Sequence, residues 1–333
     1  MPRCRNLASV LLAGLAVAGC RSEKPAPPET TASPAVGAAP APVAPVAPLA
    51  AAPAAAAQPL PPVKPLAGIE NYRRLSQKIA QGGQPNGAAS YAALKAEGIE
   101  TILSVDGAAP DVEAARAAGL KYVHVPIGYD GVSADEQARI IKAVSEASGP
   151  VYVHCHHGQH RGPAAAAIAR EAVDGLSNAE AVAELKESGC SPSYPGLFRD
   201  VQNWKAPSAA TLAALGPLPS MVKPVGVRDT MAHVDQRLDL LKASQALKWA
   251  VPPNNPDVAP PHEAMMMLEA FRELQRLPEA QAKGPDFLAH AKAAEDAATA
   301  LQAALAAGAA DKADAAWITF KASCDSCHAT YRN

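Results

Sequence analysis

The sequence predicts two folded parts behind a tether: an α/β layered domain, then an all-α four-helix bundle. Three observations carry this reading. Between residues 66 and 206, short β-branched runs alternate with alanine-rich stretches of helical length, the pattern of strands and helices stacked in layers. From 207 to 333 the strand-like runs stop, and four long helical stretches follow, punctuated by proline and glycine, as in a bundle. Residues 20–65 are almost entirely Ala, Pro and Val, without an aromatic residue. Such a segment builds no packed core and favours an extended, polyproline-like tether.

In the α/β part, Thr101 to Val105, Tyr122 to Val125 and Val151 to His154 are mostly apolar and four to five residues long, as buried strands should be. Ala88 to Glu97, Asp111 to Ala118, Asp135 to Ala147 and Pro163 to Val173 have helical length. Ser133 with Glu136 three residues on forms a capping box for the third, and Pro163 opens the fourth at a tolerated first-turn position. Pro217, Pro219 and Pro224 mark the boundary to the bundle, whose helices are expected at about 227–249, 261–276, 284–307 and 309–331. The Pro252-Pro253-Asn254-Asn255-Pro256 stretch makes the first connection long.

The amino terminus carries Arg3 and Arg5 before an apolar run from Leu7 to Ala18, too short to span a bilayer and arranged as an export signal. The run ends at Val17-Ala18-Gly19-Cys20. This resembles a bacterial lipobox, which implies removal of residues 1–19, lipid attachment at Cys20 and a membrane anchor facing the periplasm; an ordinary cleavable signal is the alternative. A formal net charge of -2 gives no reason to expect nucleic acid. Of six cysteines, Cys4 leaves with the signal and Cys20 takes lipid, so no disulfide framework is indicated.

Strand Val151-Tyr152-Val153-His154 runs directly into Cys155-His156-His157-Gly158-Gln159-His160-Arg161-Gly162 and then into helix. Strand, loop and helix amino terminus together make an anion cradle. A cysteine opening such a loop faces the positive end of the helix dipole, which favours the nucleophilic thiolate, and Arg161 can bind an oxyanion bidentately. H-C-x-x-G-x-x-R resembles the phosphate-binding loop of cysteine-dependent phosphatases of the tyrosine and dual-specificity class. Asn71 to Ser76, Gly82-Gly83-Gln84-Pro85 and Thr101 to Val105 extend the likeness over about 140 residues. The resemblance implies Cys155 as nucleophile, Arg161 and the loop amides as phosphate binders, and Asp130 as the acid that protonates the leaving oxygen. Asp106 and Asp135 are weaker alternatives for the acid, and a solvated turn aspartate is the bland reading of Asp130.

Two features depart from that family. Gly162 stands where a Ser or Thr hydroxyl usually helps the sulfur leave, so turnover of a phosphocysteine should be slow. His156, His157 and His160 crowd the loop, as added positive potential, as a soft-metal site with Cys155, or as solvent-facing residues. His154 is expected to order the loop from its sheet side. Cys190 reads as a small core residue or, more sharply, as a resolving thiol.

The chain closes on Cys324-Asp325-Ser326-Cys327-His328, a covalent haem attachment string. Two thiols three positions apart can bond both vinyl groups of haem c while His328 ligates the iron. A redox dithiol belongs at a strand–helix junction, and a zinc half-site needs a second ligand pair that this segment lacks. Ala313, Trp317, Phe320, Cys324, Cys327 and Tyr331 follow steps of three and four on one stripe. With Tyr331-Arg332 behind the motif, the last 110 or so residues resemble cytochrome c′. That resemblance implies His328 as proximal ligand, Arg332 near a propionate, Met231 as a sixth ligand with His233 behind it, and homodimer formation. The run Met265-Met266-Met267 reads as core packing.

The reading that joins these parts is a lipid-anchored, periplasm-facing haem protein with a cysteine-dependent phosphomonoesterase domain acting on a phosphorylated substrate, modulated by haem redox state or a diatomic gas. One alternative is a haem electron carrier or gas binder, serving a redox partner, whose middle domain only binds an anion. The other is a persulfide sulfurtransferase, although those use a shorter cysteine-to-arginine loop.

Overall fold

A computed structural model describes residues 59–332. The expected signal peptide, Cys20 and the tether as far as residue 58 lie outside the described residues. Five strands form one sheet: β1 (Arg73–Arg74), β2 (Ile79–Gly82), β3 (Thr101–Ser104), β4 (Lys121–His124) and β5 (Val151–His154), in the order β1-β2-β5-β3-β4. All neighbours are parallel except the β1–β2 pair. Helices α1 (Ala88–Ala96), α2 (Val112–Ala117), α3 (Ala134–Glu146), α4 (Arg161–Val173), α5 (Asn178–Glu187), α6 (Pro195–Gln202) and α7 (Ala209–Ala214) complete this half.

Side chains of a strand alternate between its two faces, and the sheet is buried on both. Ile102, Tyr122 and Tyr152 enter one apolar cluster with Tyr91 and Leu94 of α1. Leu103 and Val153 enter the other, with Ile140 and Val144 of α3 and Ile168 of α4. Ala164, Ala165, Ala166, Ala167 and Ala169 of α4 are all buried. Their small side chains let α4 lie close over β2 and β5, which aims its amino terminus at the carboxyl end of β5. The Ser133–Glu136 capping box that opens α3 is formed in both directions.

The second half consists of α8 (Val227–Ala246), α9 (Pro260–Leu274), a short α10 (Pro278–Ala282), α11 (Pro285–Ala306) and α12 (Ala310–Tyr331). α8 packs on α9, and both α9 and α12 pack on α11. Phe271 of α9 meets Phe320 of α12 edge to face at 5.8 Å. The apolar cluster on the α3–α4 side of the sheet continues without a break into these helices. Among the described residues, no helix is long and apolar enough to cross a membrane.

Several elements depart from expectation. β1 and β2 have no β-branched run to mark them. α8 stops at Ala246, three residues early, because Lys248 and Trp249 adopt positive φ (56° and 68°), a conformation that costs bulky residues energy. Trp249 Nε1 then donates to Asp314 Oδ1 of α12 at 3.0 Å. α4 begins two residues before Pro163, at Arg161, so the helix amino terminus reaches into the loop itself.

The last residues read as tether dock on the α/β half. Leu60 is buried, its N–H donates to Glu187 Oε1, and Arg73 donates to the Pro61 carbonyl. The proline-marked stretch before α8 docks there too. The Pro219 carbonyl accepts from the β4 N–H of His124 at 2.9 Å, and Val222 N–H donates to His124 Nδ1 at 3.0 Å.

Candidate active site

β5 delivers Cys155 and α4 begins with Arg161, so residues 155–161 arch between a strand end and a helix amino terminus. Gly158 sits at φ +69°, and a Cβ there would lie 2.2 Å from the backbone carbon of Gly82. Only glycine combines that conformation with that approach. The loop is tied down from the Gly82-Gly83-Gln84 side: Gln84 N–H donates to the His156 carbonyl at 2.8 Å, and Asn71 Nδ2 donates to the His157 carbonyl at 2.8 Å. His154 is buried beneath it, within hydrogen-bond distance of Tyr122 Oη through Nε2 (2.6 Å) and of the Cys155 carbonyl through Nδ1 (3.2 Å). Burial pushes its imidazole down to about 4, so it orders the loop as a neutral ring.

Among the described residues, the N–H groups of His156, His157, Gly158, Gln159 and His160 donate to no protein acceptor. Arg161 is 1% exposed, yet its Nε has no partner. A buried guanidinium edge beside a run of free amides is a cradle for an oxyanion, since buried polar groups otherwise find partners. Cys155, 4% exposed, lies at the base. A Cβ placed on Gly162 would fall 3.3 Å from Cys155 Sγ, so residue 162 flanks the sulfur directly.

The remaining edges of Arg161 are saturated. Nη2 donates to Asp106 Oδ1 at 2.9 Å and to Tyr129 Oη at 3.0 Å; Nη1 donates to the Ile127 carbonyl and to Glu273 of α9. The Tyr129 ring stacks over the guanidinium at 4.0 Å. Burial would raise the Asp106 carboxyl, but Arg161 and Arg276 outweigh it and hold the group well below the ordinary carboxylate range. Asp106 is therefore an ionised anchor, which removes it as a proton donor. Asp135 lies on the exposed start of α3, paired with Arg139.

Asp130 is not gathered into this cleft. Its side chain is 57% exposed and pairs with Arg237 of α8 at 3.2 Å, lining a neighbouring groove with Ser133, Glu136 and Arg199. The cleft over the loop, about 330 Å³, is lined instead by Tyr129, His156 and His160 from the α/β half and, from the helical half, by Arg272, Arg276 and Lys292 together with Glu269, Glu273 and Glu295.

The histidines do not supply the positive potential expected of them. Burial, reinforced by Arg276 and His157, lowers His156 to about 4. Burial lowers His160 to about 4 as well, with Arg161 adding to it and Glu269 opposing. Both rings are neutral at pH 7. His157 is exposed and pairs with Glu70. No cluster of three or more metal-ligating side chains occurs among the described residues, so nothing supports a soft-metal site here. Cys190 is buried, and burial, with Cys155 nearby, pushes its thiol up to about 12; it behaves as a core residue.

At the other candidate site, Cys324 and Cys327 lie one turn apart on α12 and are half-buried and unbridged. Both pack against the apolar core, as does Tyr331, which meets Phe287 of α11 edge to face at 5.2 Å. His328 beside them is half-buried. Two free thiols on one apolar helix face with an adjacent imidazole are a donor set that fits covalently bound haem. Met231 is half-buried against the same core, whereas His233 is exposed. Met265 and Met267 are buried, in keeping with core packing. Arg332 is exposed.

Besides Tyr129, which stacks on Arg161, Glu273 and Arg276 are site residues that sequence reasoning missed. They lie over 100 positions from Arg161 and Asp106, and no local pattern announces such a pairing.

Residues 96–171 match the family described as beta-lactamase hydrolase-like protein, phosphatase-like domain. The structure is similar to TpbA of P. aeruginosa (24% identity, TM-score 0.37, covering 44% of this chain and 96% of that one). It is similar also to a putative phosphatase from Shewanella putrefaciens CN-32 (17%, TM-score 0.34, 40% and 90%). A third likeness is PTPMT1 solved with PI(5)P (16%, TM-score 0.34, 39% and 94%). No curated protein matches the sequence. Within the α/β half, residues 96–171 are thus a phosphatase-like domain.

Proposed function

We propose that the α/β half hydrolyses phosphate monoesters through Cys155. The observation that carries this is the cradle: free amides from His156 to His160 and the unpartnered Nε of buried Arg161, arched over a cysteine. An oxyanion drawn into it places phosphorus against Sγ. The S–P bond forms as the bond to the leaving oxygen breaks, while loop amides and Arg161 hold the equatorial oxygens, the term that usually dominates such catalysis. The leaving oxygen takes its proton from an acid, for which Asp130 remains our candidate once released from Arg237. Water then attacks phosphorus, passing a proton to the carboxylate that the first step left on the acid, as the S–P bond breaks and the thiolate returns. Gly162 offers that second step no hydroxyl, so breakdown of the phosphocysteine limits the rate.

The helical half, in this reading, is a haem c domain held by Cys324, Cys327 and His328, with Met231 as the candidate sixth ligand. When bound, the haem supplies one-electron chemistry or a gas-binding iron. α9 supports coupling between the halves, because one face sets Glu273 against Arg161 while another sets Phe271 against Phe320, one turn from Cys324. The proposed setting is lipid-anchored at Cys20 on the periplasmic side.

The test is phosphate release from an aryl phosphate by haem-loaded protein beside Cys155→Ser, with the haem held oxidised or reduced. Cys155-dependent release, with a burst equal to the enzyme concentration, is expected. Equal release by the Cys155→Ser variant would overturn the hydrolase reading, and identical rates in both haem states would overturn the coupling. A mass increase of one haem that is lost in Cys324→Ala/Cys327→Ala checks attachment independently of activity.

A further inference from the structure

The anion loop is not completed by the domain that contains it. Glu273, in the last turn of α9, accepts from Arg161 Nη1, and Arg276, just past the end of α9, donates to both Asp106 oxygens and, at 3.0 Å, to Gln84 Oε1. Gln84 Oε1 is in turn 3.3 Å from His156 Nδ1, and its N–H holds the His156 carbonyl. One short stretch of the helical half therefore reaches both flanks of the cradle, Arg161 on one side and the Gln84–His156 tie on the other.

Glu273 could act in two opposed ways. As a plug, it would mimic the anion and have to leave before a substrate entered. As a brace, it would fix the guanidinium and leave the anion face open. The hydrogen bonds decide between them. No loop amide from His156 to His160 donates to Glu273, and the Nε of Arg161 stays free. The carboxylate takes Nη1, which it shares with the Ile127 carbonyl. An anion mimic would collect the amides and the Nε edge; Glu273 collects neither.

We infer that Glu273 is a positioning residue for the anion loop, donated by the helical half, which with Asp106 clamps Arg161 so that its Nε edge faces the oxyanion. This rests on the cradle reading above and adds that anion binding depends on the second half of the chain. Its carboxylate lies against Gly107, where a Cβ would fall 2.8 Å from Oε2, so a side chain there would push the carboxylate tip aside. Burial raises the Glu273 carboxyl despite the opposing pull of Arg161. Removing the carboxylate would leave the buried Arg161 guanidinium short of a partner, which is costly.

The experiment uses the full chain. In a Cys155→Ser background, inorganic phosphate is titrated calorimetrically into the parent, Glu273→Gln and Glu273→Ala. In the Cys155 forms, kcat and KM are measured with an aryl phosphate. Phosphate affinity is expected to fall at least tenfold in Glu273→Ala and by less in Glu273→Gln, whose amide oxygen still accepts from Nη1. In the Cys155 forms kcat should fall more than KM rises, because an orienting group acts most on the transition state. Should the alanine variant fail to fold, the isosteric glutamine variant carries the comparison with the same sign.

Phosphate binding as tight or tighter without the carboxylate would make Glu273 a competitor and overturn the inference. Weaker binding in the variants, with no hydrolysis by any form, would uphold the brace and sink the hydrolase. Hydrolysis with equal kcat and KM in all forms would do the reverse, and no phosphate binding by any form would remove both.

Discussion

Glu171, on the helix that presents Arg161, should make the protein's stability fall as the pH rises. It is 4% exposed in the last turn of α4, neither carboxyl oxygen has a hydrogen-bond partner, and burial raises its pKa to about 8. A carboxyl held above its unfolded value keeps its proton when folded and releases it when unfolded. Stability is therefore lost as the pH rises through the window from 4.5 to 8 and levels off above it. The linkage relation gives a cost of about 1 kcal/mol at pH 5 and about 4 kcal/mol at pH 8, so about 3 kcal/mol disappears between them. Replacing Glu171 by Gln removes the titration. The amide adds its own burial cost, but that offset does not vary with pH. Urea unfolding of both proteins at pH 5, 6, 7 and 8 should show the variant gaining on the wild type by about 3 kcal/mol across the series. A difference that stays constant from pH 5 to 8 would refute the argument.

Other substitutions probe separate parts of the site. Gly158→Ala forces a Cβ into the Gly82 backbone and should cost several kcal/mol or displace the loop; thermal unfolding and phosphate titration read the two outcomes. Gly162→Ser brings a hydroxyl beside Cys155 Sγ and should speed phosphocysteine breakdown about tenfold, seen as a higher steady-state rate with an unchanged burst; the tight 3.0 Å approach of that Cβ to the Cys155 nitrogen is expected to lower Tm slightly. Arg237→Ala leaves buried Glu263 without its 2.8 Å partner and should destabilise the helical half by about 3 kcal/mol. The same change frees Asp130, so the rate on an alkyl phosphate, whose leaving oxygen needs a proton, should rise at temperatures where the variant is fully folded.

What could be read in advance follows the range of the interactions. β3, β4 and β5 were visible because burial on both faces demands continuous apolar runs, and α3 because its capping box is written within four residues. The Cys155 loop was visible because strand, loop and helix are consecutive, so a cradle that closes locally leaves a local string. β1 and β2 were not: Arg73-Arg74 and Ile79-Ala-Gln-Gly carry no periodicity, and only pairing with β5 and the Gly82–Gly158 contact gives them a role. His156 and His160 mislead because residue type suggests charge, whereas both are lowered by burial, with Arg276 from the far half of the chain adding to it at His156 and Arg161 at His160. The resemblance points to Asp130, but it says nothing of Arg237, 107 positions later, which holds it in another groove.

The cross-chain contacts also constrain how this arrangement could work. Arg161 needs partners for both of its terminal nitrogens, because a buried guanidinium with unsatisfied N–H groups would be expensive. Asp106 alone cannot serve them, since Arg276 shares the same carboxylate. Glu273 supplies a second carboxylate, on Nη1 beside the Ile127 carbonyl, and α9, which packs on α8 and α11, also sets Phe271 against Phe320. Any movement of α12 near Cys324 that displaces Phe320 therefore presses on the helix that orients Arg161. A rotation of α9 by one residue, about 100°, would carry Glu273 off the guanidinium altogether. The proposed coupling would need no chain of small shifts, only one helix with a carboxylate on one face and a phenyl ring on the other.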